Sequence, residues 1–334
     1  DNPSLQADMV VLAIGVTPDT VLAKEAGLEL GIKESIVVND RMETSVPDIY
    51  AAGDAVQVKH YVTGNDALIS LAGPANKQGR IIADNICGGD SRYLGSQGSS
   101  VIKVFDMTAA TTGINETNAK KSGLEVDTVI LSPMSHAGYY PGGKVMTMKV
   151  VFEKETYRLL GAQIIGYEGV DKRIDVLATA IHAGLNATQL KDLDLAYAPP
   201  YSSAKDPVNM AGFMIDNIAK GTLKQWHLED MDKISKDKDV VLLDVRTVGE
   251  FSIGHIDGFK NIPVDELRER ISEIEKGKPV YLICQSGLRS YIASRILEGN
   301  GYETYNFSGG FRFYDAVVND RALIERAYAC GMDY

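Results

Sequence analysis

The chain has 334 residues, of which 45% are hydrophobic and 24% are charged, and its 34 Lys+Arg and 45 Asp+Glu give a net charge of −11. These values exclude a disordered or collagen-like chain, and the acidic balance predicts neither nucleic acid nor an anionic membrane surface as a partner. No apolar run approaches the roughly 18 residues of a membrane span. The three cysteines are widely separated and lack C-x-x-C spacing, which predicts no metal site and a reducing, cytoplasmic location.

Residues 1–95 are predicted to be α/β. The chain begins with Asp rather than Met and soon enters an apolar run over 8–14 that is typical of a buried parallel strand. We expect the sheet partners of this strand to lie upstream of residue 1, so the chain is interpreted as part of a longer protein. The predicted elements that follow are a helix over 20–26, short strands over 36–39 and 49–52, and a helix over 74–86.

Residues 96–221 are predicted to form an α+β domain, because strand patterns here are segregated from a helix. The predicted elements are strands over 101–105 and 128–131, a hairpin of 145–152 with 157–165, and a helix over 173–182.

Residues 222–334 are predicted to form a third domain, after a stretch rich in Lys and Asp. Buried-strand runs over 240–245 and 280–284 are each followed by loop and helix signals, with a helix over 290–298. Strands that alternate with helices predict a parallel α/β sheet.

Cys284 comes directly after the apolar run 280–283 and is followed by Gln285-Ser-Gly-Leu-Arg289 and a helix. In such a strand, loop and helix arrangement, backbone N–H groups and the positive helix end converge on the sulfur and favour a thiolate. Gly287 allows a tight loop, and Arg289 adds positive charge. A cysteine after a strand is more often a buried apolar residue, but the loop composition favours a reactive one.

The C-terminal segment resembles the rhodanese family. The motifs that carry the resemblance are Asp244-Val-Arg246, Glu250-Phe251, Gly254-His-Ile-Asp-Gly258, Asn261-Ile-Pro263, Cys284 to Ser290, and Ser308-Gly-Gly310. The resemblance implies that Cys284 carries a persulfide and that Arg289 helps to hold it or an anionic substrate. The N–H groups expected to cradle the persulfide belong to Gln285, Ser286, Gly287, Leu288 and Ser290. Asp244 with Arg246 is expected to be a structural ion pair, and His255 a structural hydrogen-bonding residue.

A second motif lies near the start, where Thr44-Ser-Val-Pro-Asp-Ile-Tyr-Ala-Ala-Gly-Asp54-Ala resembles the flavin-binding signature of two-dinucleotide-domain disulfide reductases. The resemblance implies that Gly53 allows close approach of FAD and that Asp54 binds its ribityl chain. The helix that contains Ala72 and Pro74 would point its positive N-terminus at the flavin.

The middle segment resembles the dimerisation domain of coenzyme A-disulfide reductases and related NADH oxidases and peroxidases. In that family, tyrosines reach the active site of the partner subunit, and the best matches are Tyr139 and Tyr197. Tyr140 is an alternative to Tyr139, and both sites could also be packing tyrosines. The resemblance implies a homodimer.

Together the three segments resemble a coenzyme A-disulfide reductase fused to a C-terminal rhodanese domain. The implied fold is the C-terminal part of a two-dinucleotide-binding-domain flavoprotein (α/β), an α+β dimerisation domain and a rhodanese-like parallel α/β domain. The implied activity is FAD- and NAD(P)H-dependent reduction of coenzyme A disulfide, coenzyme A persulfide or polysulfide. The implied partners are small-molecule thiols, disulfides and persulfides.

Two features leave an alternative open. No G-x-G-x-x-G fingerprint is present, and none of the three cysteines lies where the resemblance places the redox cysteine of the family. Cys87, at a helix end before Gly88-Gly89, is interpreted as an inert structural thiol. The alternative is a rhodanese-type sulfurtransferase whose flavin-domain remnant serves for dimerisation. The choice between NADH and NADPH also stays open.

Overall fold

The computed structural model describes residues 6–319, which divide into two compact units. The first unit contains the described residues up to Ser100 together with Thr111–Ile114. The second contains Val101–Ala110 and the described residues from Asn115 onward.

The first unit has a small mixed sheet. Its elements are α1 (Val21–Glu25), β1 (Ile36–Val37), β2 (Val56–Lys59), β3 (Asp66–Leu68) and α2 (Ala72–Ile86). The strand order is β1-β2-β3, with β1 parallel and β3 antiparallel to β2. Met42, Val56 and Val58 form the buried core of this unit.

The prediction of a strand over 8–14 is wrong, since these residues adopt no regular secondary structure. Met9, Val11 and Ile14 are 80%, 79% and 85% exposed. A buried parallel strand depends on neighbours that pair its backbone and cover its faces, and no described strand does this here. The expected strand over 49–52 is reduced to one bridge, between Glu43 and Tyr50.

The second unit contains most of an antiparallel sheet and its helices, while Ser100 of β4 and residues 111–113 of β5 are counted with the first unit. The elements are β4 (Ser100–Val104), β5 (Met107–Gly113), α3 (Glu116–Lys121), β6 (Val126–Leu131), β7 (Thr147–Glu153), β8 (Leu159–Gly166), α4 (Val170–His182) and α5 (Pro207–Ala219). The strand order is β4-β5-β8-β7-β6, and the expected hairpin is β7 with β8. Alternate residues of β7, including Met148, Val150 and Phe152, are fully buried. The expected α+β character is confirmed.

A parallel sheet follows. Its elements are β9 (Gln225–Trp226), α6 (Met231–Ile234), β10 (Val241–Asp244), α7 (Val248–Ile253), β11 (Lys260–Asn261), β12 (Val280–Ile283), α8 (Leu288–Glu298) and β13 (Thr304–Phe307), and residues 310–319 are also helical. The order is β11-β10-β12-β13-β9, and all pairs are parallel. The expected parallel α/β sheet is confirmed, and β12 is its central strand.

The two sheets of the second unit meet along β6. The backbone N–H of Ile130 donates to Ser308 Oγ at 3.2 Å, and Gln225 Nε2 donates to the carbonyl of Thr128 at 2.7 Å. His227 Nε2 lies 3.1 Å from Asp127 Oδ1. These contacts hold the ends of β13 and β9 against the antiparallel sheet.

Helix α5 was not predicted, although its sequence carries a start signal. Asp206 caps the helix by accepting from the backbone N–H of Val208, and Pro207 occupies the first turn. The helix packs against β6 and α4.

We expect Gly310→Ala to destabilise the parallel domain. A Cβ at Gly310 would lie 2.6 Å from the backbone nitrogen of Ser286 and 2.8 Å from the carbonyl oxygen of Cys284, and φ is +68°. Overpacking of this kind costs about 1–3 kcal/mol beyond the backbone strain. Urea unfolding followed by the fluorescence of Trp226, the single tryptophan, measures the change.

The matched control is Gly301→Ala, because Gly301 has a similar φ of +82° but no atom within 4 Å of the added Cβ. Equal losses of stability in the two variants would contradict the proposed close contact.

Candidate active site

The sulfur of Cys284 lies at the carboxyl end of β12, enclosed by the loop that follows. The residue is 1% exposed. The backbone N–H of Gly287 donates to Cys284 Sγ at 3.1 Å, and the Ser290 hydroxyl donates to it at 3.2 Å. Gly287 has φ +96° and caps α8, so the left-handed turn that a glycine tolerates aims its N–H at the sulfur. Both donors stabilise negative charge on the sulfur.

Sequence reasoning predicted a cradle of backbone N–H groups from Gln285, Ser286, Gly287, Leu288 and Ser290. Of these five residues, the structure shows a backbone N–H bonded to Sγ for Gly287, while Ser290 reaches the sulfur through its side chain. The contribution of the Ser290 side chain was missed, although a hydroxyl in the first turn of α8 is a signal for it. Leu288 is 65% exposed, on the outer face of the loop.

Residues that directly follow the turn Ser308-Gly-Gly310 hold the Cys284 loop by hydrogen bonds. The N–H of Phe311 donates to the carbonyl of Cys284 at 2.7 Å, and the N–H of Arg312 donates to that of Gln285 at 3.1 Å. These bonds fix the carbonyl groups of Cys284 and Gln285 and so hold the loop backbone in place.

Arg289 is paired with a carboxylate. Its guanidinium donates two hydrogen bonds of 2.7 Å to Glu250 on α7. The Arg289 hydrogen bond lowers the pKa of Glu250 to about 2, and the same bond, with a smaller influence from nearby Cys284, raises the pKa of Arg289. Glu250 was noted only as part of a motif, and its function as the partner of Arg289 was missed.

Asp244 and Arg246 form a buried ion pair at the end of the neighbouring strand β10. Arg246 Nη2 lies 2.7 Å from Asp244 Oδ2, and both residues are fully buried. Arg246 also donates to the carbonyl of Gly254 at 2.8 Å and stacks 3.8 Å from the ring centroid of Phe311. His255 Nδ1 lies 3.1 Å from the carbonyl oxygen of Phe251, consistent with the structural function expected of it.

The two predicted tyrosines come together. The hydroxyls of Tyr139 and Tyr197 are 2.8 Å apart, and the side chains are 77% and 45% exposed. The hydrogen bond from Tyr139 raises the pKa of Tyr197. Tyr140 instead packs edge-on against His136 at 5.6 Å, which favours Tyr139 as the functional residue.

A cavity of about 510 Å³ adjoins Tyr197 and is built around a buried arginine. Arg173 Nη2 donates to Asp206 Oδ2 at 3.0 Å, to the carbonyl of Ser135 at 2.9 Å and to Ser202 Oγ at 3.1 Å. This network fixes the segment that carries Tyr197. The sequence does not predict this network, because nothing in the sequence indicates that an arginine within a helix is buried.

The flavin-like segment of the first unit comprises the turn at Gly53 and Asp54 and the start of helix α2. Gly53 has φ +89°, and its N–H donates to Gln78 Oε1 at 2.7 Å. Asp54 is exposed. Helix α2 begins at Ala72 with Pro74 in its first turn, and its N-cap residue, Leu71, provides no side-chain cap. The first N–H groups of α2 therefore stay available to a ligand.

Three family models match consecutive parts of the chain. The pyridine nucleotide-disulphide oxidoreductase model matches residues 1–79, the dimerisation domain model of that group matches 99–207, and the rhodanese-like domain model matches 227–316. The chain therefore contains two pyridine nucleotide-disulphide oxidoreductase segments followed by a rhodanese-like domain.

Relatives of this oxidoreductase family include a CoA-dependent NAD(P)H sulfur oxidoreductase of Pyrococcus furiosus, 39% identical over 62% of this chain and 47% of that protein. A coenzyme A disulfide reductase of Staphylococcus aureus is 35% identical over 62% of this chain and 47% of that protein. The chain spans about half the length of the curated relatives it matches.

Two solved structures resemble this chain over nearly its full length. The reduced Bacillus anthracis CoADR-RHD superposes with a TM-score of 0.92 and 48% identity, over 95% of this chain and 57% of that one. An NAD-dependent persulfide reductase from A. fulgidus gives a TM-score of 0.84 and 42% identity, over 92% of this chain and 56% of that one.

Two absences apply to residues 6–319. No helix there is long and apolar enough to cross a membrane, and no group of three or more His, Cys, Asp or Glu side chains is placed to hold a metal ion.

We expect Glu250→Gln to lower the stability of the rhodanese-like domain by about 0.5–1 kcal/mol at neutral pH, because a half-exposed bidentate pair is lost. The pKa of Glu250 is depressed from 4.5 to about 2, so its contribution is complete above about pH 4.5 and is lost as the pH falls through 2. The difference in unfolding free energy between the two proteins should shrink from pH 5 to pH 3, measured by urea unfolding with Trp226 fluorescence.

Glu269→Gln is the control, since it removes an exposed carboxylate of the same domain. A wild-type advantage over Glu250→Gln that stayed constant down to pH 3 would rule out the ion pair as its source.

Proposed function

We propose that the protein of which this chain is part uses NAD(P)H and FAD to reduce coenzyme A disulfide, coenzyme A persulfide or polysulfide. In this proposal Cys284 carries the sulfane sulfur. The observation that carries it is the enclosed Cys284 sulfur, with donors from Gly287 and Ser290, within a segment that matches the rhodanese-like model. The names of the relatives support the sulfur and coenzyme A chemistry.

Sulfur transfer at Cys284 is a nucleophilic substitution. The Cys284 thiolate attacks the sulfane sulfur of the donor, a new S–S bond forms, and the bond between that sulfur and the rest of the donor breaks with both electrons going to the leaving thiolate or sulfite. An acceptor thiolate then takes the sulfur from Cys284 by the same exchange. The donors from Gly287 and Ser290 stabilise the negative charge that returns to Sγ.

The residues of the first unit fit a bound FAD. The exposed carboxylate of Asp54 can accept hydrogen bonds from a polyol, and the uncapped N-terminus of α2, at Ala72 and Pro74, can stabilise negative charge on an isoalloxazine edge. The chemistry supplied there, with FAD bound, is two-electron transfer from NAD(P)H towards a disulfide. Gln78 holds the Gly53 backbone in position.

We assign Tyr139 and Tyr197 to the reductase site of a homodimer. The dimerisation domain match supports self-association, and the exposed pair of hydroxyls can donate to a thiolate leaving group on a partner subunit. We propose domain bounds of 1–95, 96–221 and 222–334. We also propose that the protein is cytoplasmic.

A sulfurtransferase without reductase activity is the alternative function. It is favoured by the completeness of the sulfur site, since the loop, Glu250 and the supporting turn all come from the rhodanese-like domain. The flavin absorbance of the purified full-length protein separates the two functions. A protein that never binds FAD would support the alternative.

We expect Cys284→Ser to abolish transfer of sulfur from thiosulfate to cyanide, by about 10³-fold or more, because a serine hydroxyl is a far weaker nucleophile at neutral pH. Mass spectrometry of the wild-type protein after thiosulfate treatment should find one added sulfur on Cys284. The control is Cys87→Ser, which removes the exposed cysteine of the first unit and should leave the rate unchanged. Full activity in Cys284→Ser would disprove the assigned nucleophile.

We expect Tyr139→Phe and Tyr197→Phe each to lower kcat for NADH-dependent reduction of coenzyme A disulfide by about 10- to 100-fold in the intact protein. The double variant should be little worse than either single variant, because the two hydroxyls act as one hydrogen-bonded pair. Tyr140→Phe is the matched control and should retain wild-type kcat. If only Tyr140→Phe lowered kcat, Tyr140 rather than Tyr139 would be assigned to the reductase site.

A further inference from the structure

Tyr139 and Tyr197 lie on two segments that regular secondary structure does not fix. The first tyrosine segment, 132–146, connects β6 to β7, the second, 193–206, leads into α5, and neither tyrosine belongs to a helix or a strand. The side chains are 77% and 45% exposed, yet their hydroxyls lie 2.8 Å apart. Ordering two exposed side chains costs conformational entropy, so the pair depends on contacts that hold the two segments together.

One buried side chain, that of Arg173 on α4, contacts both segments. Its Nη2 donates to the carbonyl of Ser135 in the first tyrosine segment at 2.9 Å. The same nitrogen lies 3.1 Å from Ser202 Oγ and 3.4 Å from the carbonyl oxygen of Tyr201, both in the second tyrosine segment. The segments also meet directly, since the N–H of Ala137 donates to the carbonyl of Ser202 at 3.0 Å. Arg173 therefore joins the two segments on which the tyrosine pair depends.

The charge of Arg173 is balanced by Asp206, the last residue of the second tyrosine segment. Arg173 is 1% exposed and Asp206 is 3% exposed. Asp206 accepts from Nε of Arg173 at 3.2 Å and from its Nη2 at 3.0 Å, and the Ser202 hydroxyl donates to Asp206 at 2.7 Å. An arginine presents five N–H donors in one plane, whereas a lysine has three donors on a single nitrogen. A lysine would keep the charge at this position but not the full set of contacts.

The backbone at Gly169 fits the guanidinium closely. Nη1 of Arg173 donates to the carbonyl of Gly169 at 3.2 Å, and a Cβ built on Gly169 would lie 2.1 Å from the same nitrogen. Gly169 has φ +71°, so the chain enters α4 through a conformation that glycine tolerates. The guanidinium is thus held both by the turn before α4 and by the two tyrosine segments.

We propose that Arg173 is a positioning residue for the reductase reaction, and that it holds the hydroxyls of Tyr139 and Tyr197 at the separation that the reaction needs. The inference rests on the proposed function of the tyrosine pair. In that pair one hydroxyl donates to the other, whose own proton is then directed to the leaving thiolate. A displacement of about 1 Å in a positioned group can lower a rate by about 100-fold, so loosening either segment should lower kcat.

The test uses the intact homodimeric protein and NADH-dependent reduction of coenzyme A disulfide. Arg173→Lys keeps the positive charge beside Asp206 but loses most contacts to the two segments. We expect it to lower kcat by about tenfold or more while KM stays within about twofold. Sulfur transfer from thiosulfate to cyanide at Cys284 should stay within about twofold of the wild-type rate, because Arg173 acts through the tyrosines. The matched control is Arg158→Lys, at an arginine next to β8 that is 46% exposed, and it should retain wild-type kcat.

Combined substitutions distinguish positioning from a purely structural function. In a protein that carries both Tyr139→Phe and Tyr197→Phe, adding Arg173→Lys should lower kcat by less than about twofold further, because no tyrosine hydroxyl is left to position. A further loss as large as that in the wild-type background would overturn the inference, as would wild-type kcat in Arg173→Lys alone.

A smaller substitution decides the question if Arg173→Lys does not fold. Ser202→Ala removes one acceptor of Arg173 and one donor to Asp206, and it should lower kcat by about 3- to 10-fold with the same dependence on the tyrosines. In that case wild-type kcat in Ser202→Ala would overturn the inference. Wild-type kcat in the double tyrosine variant would instead overturn the proposed function of the tyrosine pair.

Discussion

The central constraint of the rhodanese-like domain is that a chain leaving the buried strand β12 must turn around a sulfur and enter α8 within four residues. Only Gly287, with a φ of +96°, makes that turn, and the same turn brings its N–H to the Cys284 sulfur. The neighbouring strands complete the support. β10 leads into the Asp244 and Arg246 pair, and β13 leads into the Ser308-Gly-Gly310 turn on which the loop rests. The sheet order therefore determines the site.

Negative charge at the Cys284 sulfur is stabilised by hydrogen-bond and helix dipoles more than by unpaired cations. Arg289 and Arg246, the arginines near the loop, each bind a carboxylate, as expected in a chain with a net charge of −11. Negative charge on Sγ is stabilised by the Gly287 N–H, the Ser290 hydroxyl and the N-terminus of α8. Fixed dipoles of this kind need little reorganisation when charge moves between sulfur atoms during transfer.

The antiparallel part of the second unit carries the tyrosine pair and also contacts the surroundings of the Cys284 loop. Its β6 edge holds Ser308 through the Ile130 N–H, and its α5 forms the far wall of a cavity beside the loop. A rhodanese loop in isolation would lack that wall.

The sequence by itself determined the elements with strong local signals and the chemistry that short motifs carry. The apolar run ending at Cys284, the glycine after it and the hairpin of β7 with β8 were all predicted, because periodicity and turn residues act over a few positions. The run over 8–14 was predicted wrongly, since burial of a strand depends on neighbours that a local pattern does not contain. Tertiary structure decided the pairs, Glu250 with Arg289 and Tyr139 with Tyr197, because residues 39 and 58 positions apart meet only once the fold brings them together.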